Sequence, residues 1–573
     1  MKAGVKTVSC FYQEGTKDMV LEEVLKTEGV PYFRLDSIDS LTGIKALVLG
    51  EMLFTASQVS ALKGFVKRGG ILVAVKPDGR LGRAFGLEDT CRTQKNGCII
   101  LKGNTSYERV SYKGRLQVFG LAKLYTGGEI IVDLSPSHGY GGIIKSQLGE
   151  GIFFSVAYDV STTFLTIQQP DSEVGRAYDT SRVETSLSHI PQLDLMRRLL
   201  INLVLDSIDV PLPRKWYFPG GHRALVLLGG DQDGADYRVM NIAKSIVMEY
   251  MVPYTLFTTP SFQPLSRAEL REMAEGGMEI AVHPDFVEAN RFFTEEEFKA
   301  QLEEAEGDAG VRIIGVRNHC VRWGSVVDMP VWMEKHGIQY DSDLGLRLPL
   351  DEPEAEPVRP GYFVGSGLPY FFIHPTSFRR INVLEEPLLA SDDLFWMKRN
   401  RRLTVNNVPG VVKTFIAGME LSQEEVFQLV KEFMDDSLEK YHTVQCYCFH
   451  PVYLANGVSD ICFKKIVKYA RENGVLLLNQ GEWNNYWRHR GEVEYESLIW
   501  DSGTSTLELV IRGKKKVKDM SFIVPLNIGE KKAKVFIDNN LMPYREENIN
   551  EKQYALFTID VGPEAVRITV SYT

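Results

Sequence analysis

Residues 224–234 form the stretch that most restricts how this chain can fold, Ala-Leu-Val-Leu-Leu-Gly-Gly-Asp-Gln-Asp-Gly. Its apolar half, bounded by glycines, predicts a buried strand of a parallel sheet. Two carboxylates, Asp231 and Asp233, follow at the C-terminal end of that strand. Because α/β proteins build their binding sites at this end, the pair is a candidate for chemistry, although an acidic turn would give the same pattern.

The chain has 573 residues, which is too long for one hydrophobic core. Strand and helix signals alternate over residues 1–210, a proline-rich segment covers 211–219, and alternation resumes over 220–490. From residue 495 short strand signals follow one another without a helix. We therefore predict an α/β protein of three domains: a doubly wound domain at 1–210, a second α/β domain at 220–490 and a small β-sandwich at 495–573.

Capping boxes mark the starts of three predicted helices. They are Thr55 with Gln58, Thr294 with Glu297, and Ser422 with Glu425. Apolar residues at helical spacing follow each box, which predicts a helix with one buried face. Two further strand signals, at 142–145 and 151–156, predict a late hairpin in the N-terminal sheet.

Composition argues against several classes of partner. The formal net charge of −10 disfavours nucleic acid and anionic membranes. No stretch approaches the roughly 20 apolar residues of a membrane span, and the first residues lead us to expect no secretory signal. Seven scattered cysteines favour a reducing compartment, so we expect a cytoplasmic protein. Cys446 and Cys448 share one face of a predicted strand, and we interpret them as small buried residues, with a metal clip as the alternative.

Four predicted strands of residues 220–490 end in side chains that can carry chemistry. These side chains are Asp231, Asp233, His283, Arg317, His319 and His450. A single histidine at a strand end is usually structural. Three histidines with an aspartate pair would meet at one mouth if the strands belong to one barrel.

This pattern resembles the polysaccharide deacetylases of the NodB-homology family. The resemblance implies a distorted (β/α) barrel over residues 220–490, a divalent metal ion, and hydrolysis of an N-acetyl (amide) group on a carbohydrate. It implies that Asp231 is the general base, that Asp233 binds the metal, and that Arg317 holds the base. Phe449-His450-Pro451 resembles the last motif, whose histidine is the general acid.

The metal ligands depart from the family pattern at one position. The second motif of the family has two histidines four residues apart, but here Val287 stands in the second place after His283. We expect His319 to replace it beside Asp233 and His283, with Asp285 as the fallback ligand. One carboxylate and two imidazoles leave open positions on a zinc ion, as hydrolysis requires; cobalt, nickel and manganese are alternatives.

Three other side chains have candidate roles in this domain. His374, in Ile373-His374-Pro375, is a rival for the role of general acid. Trp323 and Tyr362 are candidate walls for stacking a sugar ring, with ordinary packing as the alternative. Together with the residues named above, they complete the predicted site.

Residues 1–210 resemble the class I glutamine amidotransferase-like (flavodoxin-like) domains. In active members a cysteine follows the strand that corresponds here to 71–75, but the next residues are Lys76-Pro77-Asp78-Gly79. Without a cysteine or serine there, we expect an accessory or assembly module. A homo-oligomer formed through this domain is left open.

These patterns lead us to expect a metal-dependent deacetylase whose substrate is a carbohydrate or another N-acylated molecule. One alternative is a metal-dependent amidase that acts on a small N-acyl compound. The other is a non-catalytic carbohydrate-binding or scaffold protein, which the missing second-motif histidine favours. The C-terminal sandwich either binds carbohydrate or covers an edge of the middle domain.

Overall fold

A computed structural model of the chain describes residues 7–169, 175–176, 182–260, 265–285, 294–323, 325–345, 361–390, 393 and 421–573. The chain divides into two compact units. Unit 1 comprises Met1–Thr166, Gln192–Gly221 and Tyr486–Thr573; unit 2 comprises Ile167–Pro191 and His222–Asn485. The mixed α/β class is confirmed, since helices accompany large sheets. The division into three domains at 1–210, 220–490 and 495–573 stays a prediction.

A nine-stranded sheet forms the first part of unit 1. In sheet order its strands are Phe33–Arg34, Val8–Phe11, Ala46–Leu49, Ile71–Val75, Gly151–Val156, Gly141–Leu148, Glu129–Ser135, Glu88–Leu101 and Gly114–Thr126. The first five are parallel to one another and the rest are antiparallel. The predicted late hairpin is confirmed, because Gly141–Leu148 pairs antiparallel with Gly151–Val156. The three long strands between residues 88 and 135 were not predicted.

Lys76 directly follows the strand Ile71–Val75, after which an active amidotransferase-like domain is expected to carry a cysteine. Its backbone is left-handed (φ 44°), and its side chain is buried. The ammonium nitrogen lies 2.7 Å from Glu51 and 3.2 Å from Asp159. Burial lowers the pKa of Lys76, but these two carboxylates outweigh it and hold the pKa above its usual value. The side chain therefore stays protonated and does not supply a nucleophile, while the amidotransferase-like assignment stays a prediction.

The C-terminal residues of unit 1 form two antiparallel sheets. One contains Arg214–Lys215, Val517–Pro525, Lys552–Val561 and Arg545–Ile549; the other contains Glu494–Asp501, Thr506–Arg512, Val566–Tyr572, Lys531–Ile537, Asn527–Ile528 and Asn540–Met542. Residues 493–573 contain no helix, as the sequence predicted. The short strand Arg214–Lys215 comes from the proline-rich segment and pairs with Val517–Pro525. That segment therefore contributes a strand to a sheet of unit 1.

Unit 2 is built on a ten-stranded, mostly parallel sheet. Its strands are Tyr370–Ile373, Arg380–Glu385, Tyr340–Asp341, Gly315–Val316, Met278–Val282, Tyr254–Thr258, Leu225–Asp231, Val444–Cys448 and Leu388–Ala390, with Leu476–Leu478 paired to Leu225–Asp231. Only Tyr370–Ile373 is antiparallel to its neighbour. The pairings among the described residues leave this sheet open, so the distorted (β/α) barrel stays a prediction. A separate two-stranded sheet pairs Gly175–Arg176 with Arg322–Trp323.

Eleven of the described helices have eight or more residues. They are Val20–Thr27, Ala56–Lys67, Val160–Gln168, Gln192–Leu205, Tyr237–Glu249, Arg267–Glu275, Glu295–Ala309, Asp328–His336, Gln423–Asp436, Asp460–Glu472 and Gln480–Glu492. Shorter ones are Gly79–Ala84 and Pro451–Ala455. All three predicted capping boxes are confirmed, with both reciprocal hydrogen bonds present. Among the described helices, none is long and apolar enough to cross a membrane.

Gly230, in the strand Leu225–Asp231, lies where no larger residue fits. A Cβ atom at this position would overlap the carbonyl oxygen of Phe449 and the hydroxyl of Tyr254, which are hydrogen-bonded to each other at 2.6 Å. We therefore expect Gly230→Ala to lower the free energy of unfolding by about 3 kcal/mol, because the backbone cannot yield. Urea denaturation measures this change.

Gly307 provides a matched control in the same unit. It is exposed on the helix Glu295–Ala309, and a Cβ atom added there would meet no atom within 4 Å beyond its own turn of helix. Gly307→Ala should leave stability unchanged or raise it by up to about 1 kcal/mol, as expected for alanine in a helix. Equal effects of the two substitutions would contradict the steric argument.

Candidate active site

The parallel sheet of unit 2 brings the predicted side chains to one edge. Asp231 ends the strand Leu225–Asp231, and Asp233 follows two residues later. His283 follows Met278–Val282, Arg317 follows Gly315–Val316, and His450 follows Val444–Cys448. Since the carboxyl ends of parallel strands lie at one edge, residues far apart in sequence meet there.

Asp231 is held by a buried ion pair. Its Oδ1 accepts a hydrogen bond from Nη1 of Arg317 at 3.0 Å. The guanidinium also donates to the carbonyl and hydroxyl oxygens of Ser342, at 3.2 and 3.1 Å, and lies 4.1 Å from the ring centre of Phe257. Burial raises the pKa of Asp231, but His283, Arg317 and His450 outweigh it and bring the pKa below its usual value. Asp231 is therefore an ionised carboxylate in a fixed position.

His283 presents one ring nitrogen to the aspartate pair. The ring is buried, and Nδ1 lies 2.7 Å from the carbonyl oxygen of Arg317. A carbonyl oxygen only accepts, so Nδ1 carries the proton and Nε2 keeps its lone pair in the neutral ring. That Nε2 lies 3.4 Å from Oδ1 of Asp233 and 3.9 Å from Oδ2 of Asp231.

His319 lies near the same oxygen of Asp233, Oδ1, as His283 does. Its Nδ1 lies 2.7 Å from Oδ1 of Asp285, and its Nε2 lies 3.8 Å from Oδ1 of Asp233. The rings of His283 and His319 have centres 5.3 Å apart. Asp285 therefore orients His319, an arrangement that commonly fixes the tautomer of a metal-binding histidine.

The atoms of Asp233, His283 and His319 fit a cation. One ligand atom from each lies within 4.8 Å of the other two. Oδ1 of Asp233 and Nε2 of His283 are buried acceptors without a hydrogen-bond partner among the described residues. Ligands bound tetrahedrally to zinc lie about 3.4 Å apart, which is close to the observed 3.4 and 3.8 Å. Burial raises the pKa of Asp233, but the three neighbouring histidines hold it well below its usual range.

His450 is positioned by a carboxylate that the sequence did not single out. Its Nδ1 lies 2.9 Å from Oδ1 of Asp393, which is fully buried and also accepts from Ser459 at 2.6 Å. Nε2 of His450 lies 3.5 Å from Oδ2 of Asp233 and 3.9 Å from Oδ2 of Asp231. Asp393 follows two polar residues outside the described part of the chain, so no sequence signal separated it from them.

The structure places the rival acid away from the site and the fallback ligand directly beside His319. His374 follows Tyr370–Ile373, the strand that runs antiparallel to its neighbour, so it lies at the opposite edge of the sheet. Its Nδ1 contacts Thr376 in a local turn. Asp285 contacts His319 rather than the aspartate pair. Val287, the second-motif position, lies outside the described residues.

The two predicted stacking residues need correction. Trp323 is 2% exposed and stacks on Phe372 with ring centres 5.7 Å apart. Tyr362 is also 2% exposed, and its hydroxyl lies 2.9 Å from that of Thr443, at the opposite end of the strand Val444–Cys448 from His450. Neither ring offers an open face to a sugar, because both fill the interior of unit 2.

A second layer of buried acids supports the Arg317 loop. Ser342 lies between Asp341 and Asp343 and holds the guanidinium of Arg317, while Asp343 accepts from the backbone of Asn318 at 2.8 Å. Burial raises the pKa of both Asp341 and Asp343 well above its usual value. Ser342 and Asp343 therefore hold Arg317 and Asn318 in place.

Comparisons with known proteins give structural similarity without sequence matches. No protein-family model and no curated protein matches the chain. The carbohydrate deacetylase Agd3 is similar over 99% of this chain and 99% of its own, with 9% identity and a TM-score of 0.42. A probable polysaccharide deacetylase from Pseudomonas aeruginosa PAO1 is similar over 48% of this chain and 93% of its own, with 14% identity and a TM-score of 0.33. The allantoinase PuuE is similar over 48% and 92%, with 13% identity and a TM-score of 0.34.

Proposed function

We propose that this protein is a metal-dependent hydrolase that cleaves the amide bond of an N-acetyl group on a carbohydrate and releases acetate. The observation that carries the proposal is the arrangement of Asp233, His283 and His319 beside the ion-paired Asp231 and the carboxylate-held His450. Metal-assisted amide hydrolysis requires ligands for a metal ion, an ionised base and an oriented imidazole, and this site has all three. The scaffold alternative has no use for such an arrangement.

Asp233, His283 and His319 are the residues that would hold the divalent ion. Zinc suits one carboxylate and two imidazoles, and cobalt, nickel or manganese are alternatives. Such an ion, when bound, polarises the amide carbonyl and lowers the pKa of water. Asp285 keeps the ring of His319 in place for this purpose.

Asp231 and His450 would move the protons. Asp231, kept ionised by Arg317, accepts the proton of the attacking water. Asp393 accepts the Nδ1–H of His450 and so stabilises the protonated ring, whose Nε2–H is presented to the departing nitrogen. Proton donation to the leaving amine is necessary because an amide releases an unprotonated nitrogen very slowly.

The burial of the two predicted stacking rings supports a second candidate function, a small-molecule amidase. Asp231, His283 and His450 are 8%, 1% and 6% exposed, and neither predicted stacking ring is open. The side chains of His319 and Asp233 are 35% and 32% exposed, so the site is open to solvent at these two residues. With no open aromatic ring from Trp323 or Tyr362 to stack on a sugar, a metal-dependent amidase for a small N-acyl compound is the alternative. Release of acetate from N-acetylated oligosaccharides, compared with N-acetylated monosaccharides and small N-acyl compounds, separates the two functions.

The first test is metal content. We expect elemental analysis to find about one divalent ion per purified chain, the occupancy of a single three-ligand site, and almost none in Asp233→Ala. Asp236→Asn is the matched control: Asp236 lies three residues away and only caps the helix Tyr237–Glu249, so its metal content should equal that of the wild type. A wild type without metal after reconstitution would instead support the non-catalytic scaffold.

A further inference from the structure

Cys448 lies beside the site but has no role in the function proposed above. Its sulfur is 3.7 Å from Nδ1 of His450, and ligand atoms of Asp231, Cys448 and His450 all lie within 4.8 Å of one another. All three residues are buried. Thiolate, imidazole and carboxylate together form a donor set that zinc binds in proteins. We propose that these three residues are a second divalent-cation site, which takes zinc when zinc is in excess.

The two proposed sites lie on different sides of Asp233, which is a ligand of the first site only. Oδ1 faces His283 at 3.4 Å and His319 at 3.8 Å, whereas Oδ2 faces His450 at 3.5 Å. Oδ2 of Asp231 also lies 3.9 Å from Nε2 of His450, on this second side. The second cation therefore competes with the first for no imidazole.

A cation in the second site would occupy Asp231 and His450, the two residues proposed to move protons. This consequence rests on the proposed function, in which Asp231 is the base and His450 is the acid. A carboxylate that binds a cation no longer accepts a proton, so Asp231 no longer serves as the base. The positive charge of the cation also disfavours the protonated ring of His450, whichever ring nitrogen binds it. Excess zinc is then an inhibitor.

Cys446 is the matched control for Cys448. It lies two residues earlier on the strand Val444–Cys448 and is equally buried. Its sulfur, however, lies 3.9 Å from Nη2 of Arg317 and 3.8 Å from the hydroxyl of Ser342, and among the described residues it belongs to no group of candidate ligand atoms. Only the second of the two cysteines is expected to bind a cation.

Cobalt(II) titration of the metal-free protein tests the site without an assay of activity. Because thiolate ligation gives a sulfur-to-cobalt charge-transfer band, we expect wild type to bind two equivalents and to develop this band with the second. Cys448→Ser should bind one equivalent without the band, and Cys446→Ser should behave as wild type. Wild type without the band, or a band that persists in Cys448→Ser, overturns the proposal.

The activity of zinc-loaded protein gives the second readout. Wild-type activity should fall about tenfold when free zinc reaches roughly ten times the Kd of the second site, by mass action. Cys448→Ser should keep its activity at that concentration. A protein that binds one cobalt, hydrolyses the substrate and shows no thiolate band refutes the second site alone; a protein that binds no metal refutes the proposed function as well.

Discussion

Replacing His450 with alanine is expected to stop turnover and to leave the metal ion in place. His450 contributes no atom to the group formed by Asp233, His283 and His319, so metal content should match that of the wild type. The rate of amide hydrolysis should fall by about 10²- to 10⁴-fold, the usual contribution of a positioned acid. Acetate release and elemental analysis on the same preparation measure both quantities.

His374→Ala is the control for this substitution. His374 lies at the opposite edge of the sheet, so its loss should change neither metal content nor turnover. Unchanged activity in His450→Ala would move the role of acid to another residue. Loss of metal in His450→Ala would show instead that His450 is itself a ligand.

Much of this site follows from one regularity of parallel sheets. Buried strands can be recognised as apolar runs, and their carboxyl ends lie together whatever the sequence separation. Asp231, His283, Arg317 and His450 are spread over more than two hundred residues, and yet they meet because each follows a strand of the same sheet. The capping boxes were predictable for a different reason: two residues three positions apart mark each helix start.

The rest depends on contacts that periodicity does not encode. Asp393 reaches His450 across 57 positions of sequence, and only the path of the chain brings the two together. Trp323 and Tyr362 were predicted to line the site because aromatic rings often stack on sugars, but a large ring fills the interior of a protein equally well. The burial of a ring is decided by its three-dimensional neighbours, here Phe372 and Phe433.

His319→Ala should remove the metal ion, whereas Asp285→Asn should only weaken its binding. Nε2 of His319 faces Oδ1 of Asp233, so the alanine variant lacks one of three ligands. Asp285 contacts Nδ1 of the same ring, and an asparagine oxygen still accepts the Nδ1–H. We therefore expect metal affinity to fall by roughly 10- to 100-fold in Asp285→Asn, as is common when the partner of a ligand is replaced.

Competition with a chelator of known affinity measures both variants, and His336→Ala is the control. His336 pairs with Glu295 on a helix outside the site, so its replacement should leave affinity unchanged. The opposite ranking, with metal lost in Asp285→Asn and retained in His319→Ala, would make Asp285 the ligand and His319 its partner. The two residues share one hydrogen bond of 2.7 Å, so the ranking of the variants, rather than either effect alone, decides which of them binds the ion.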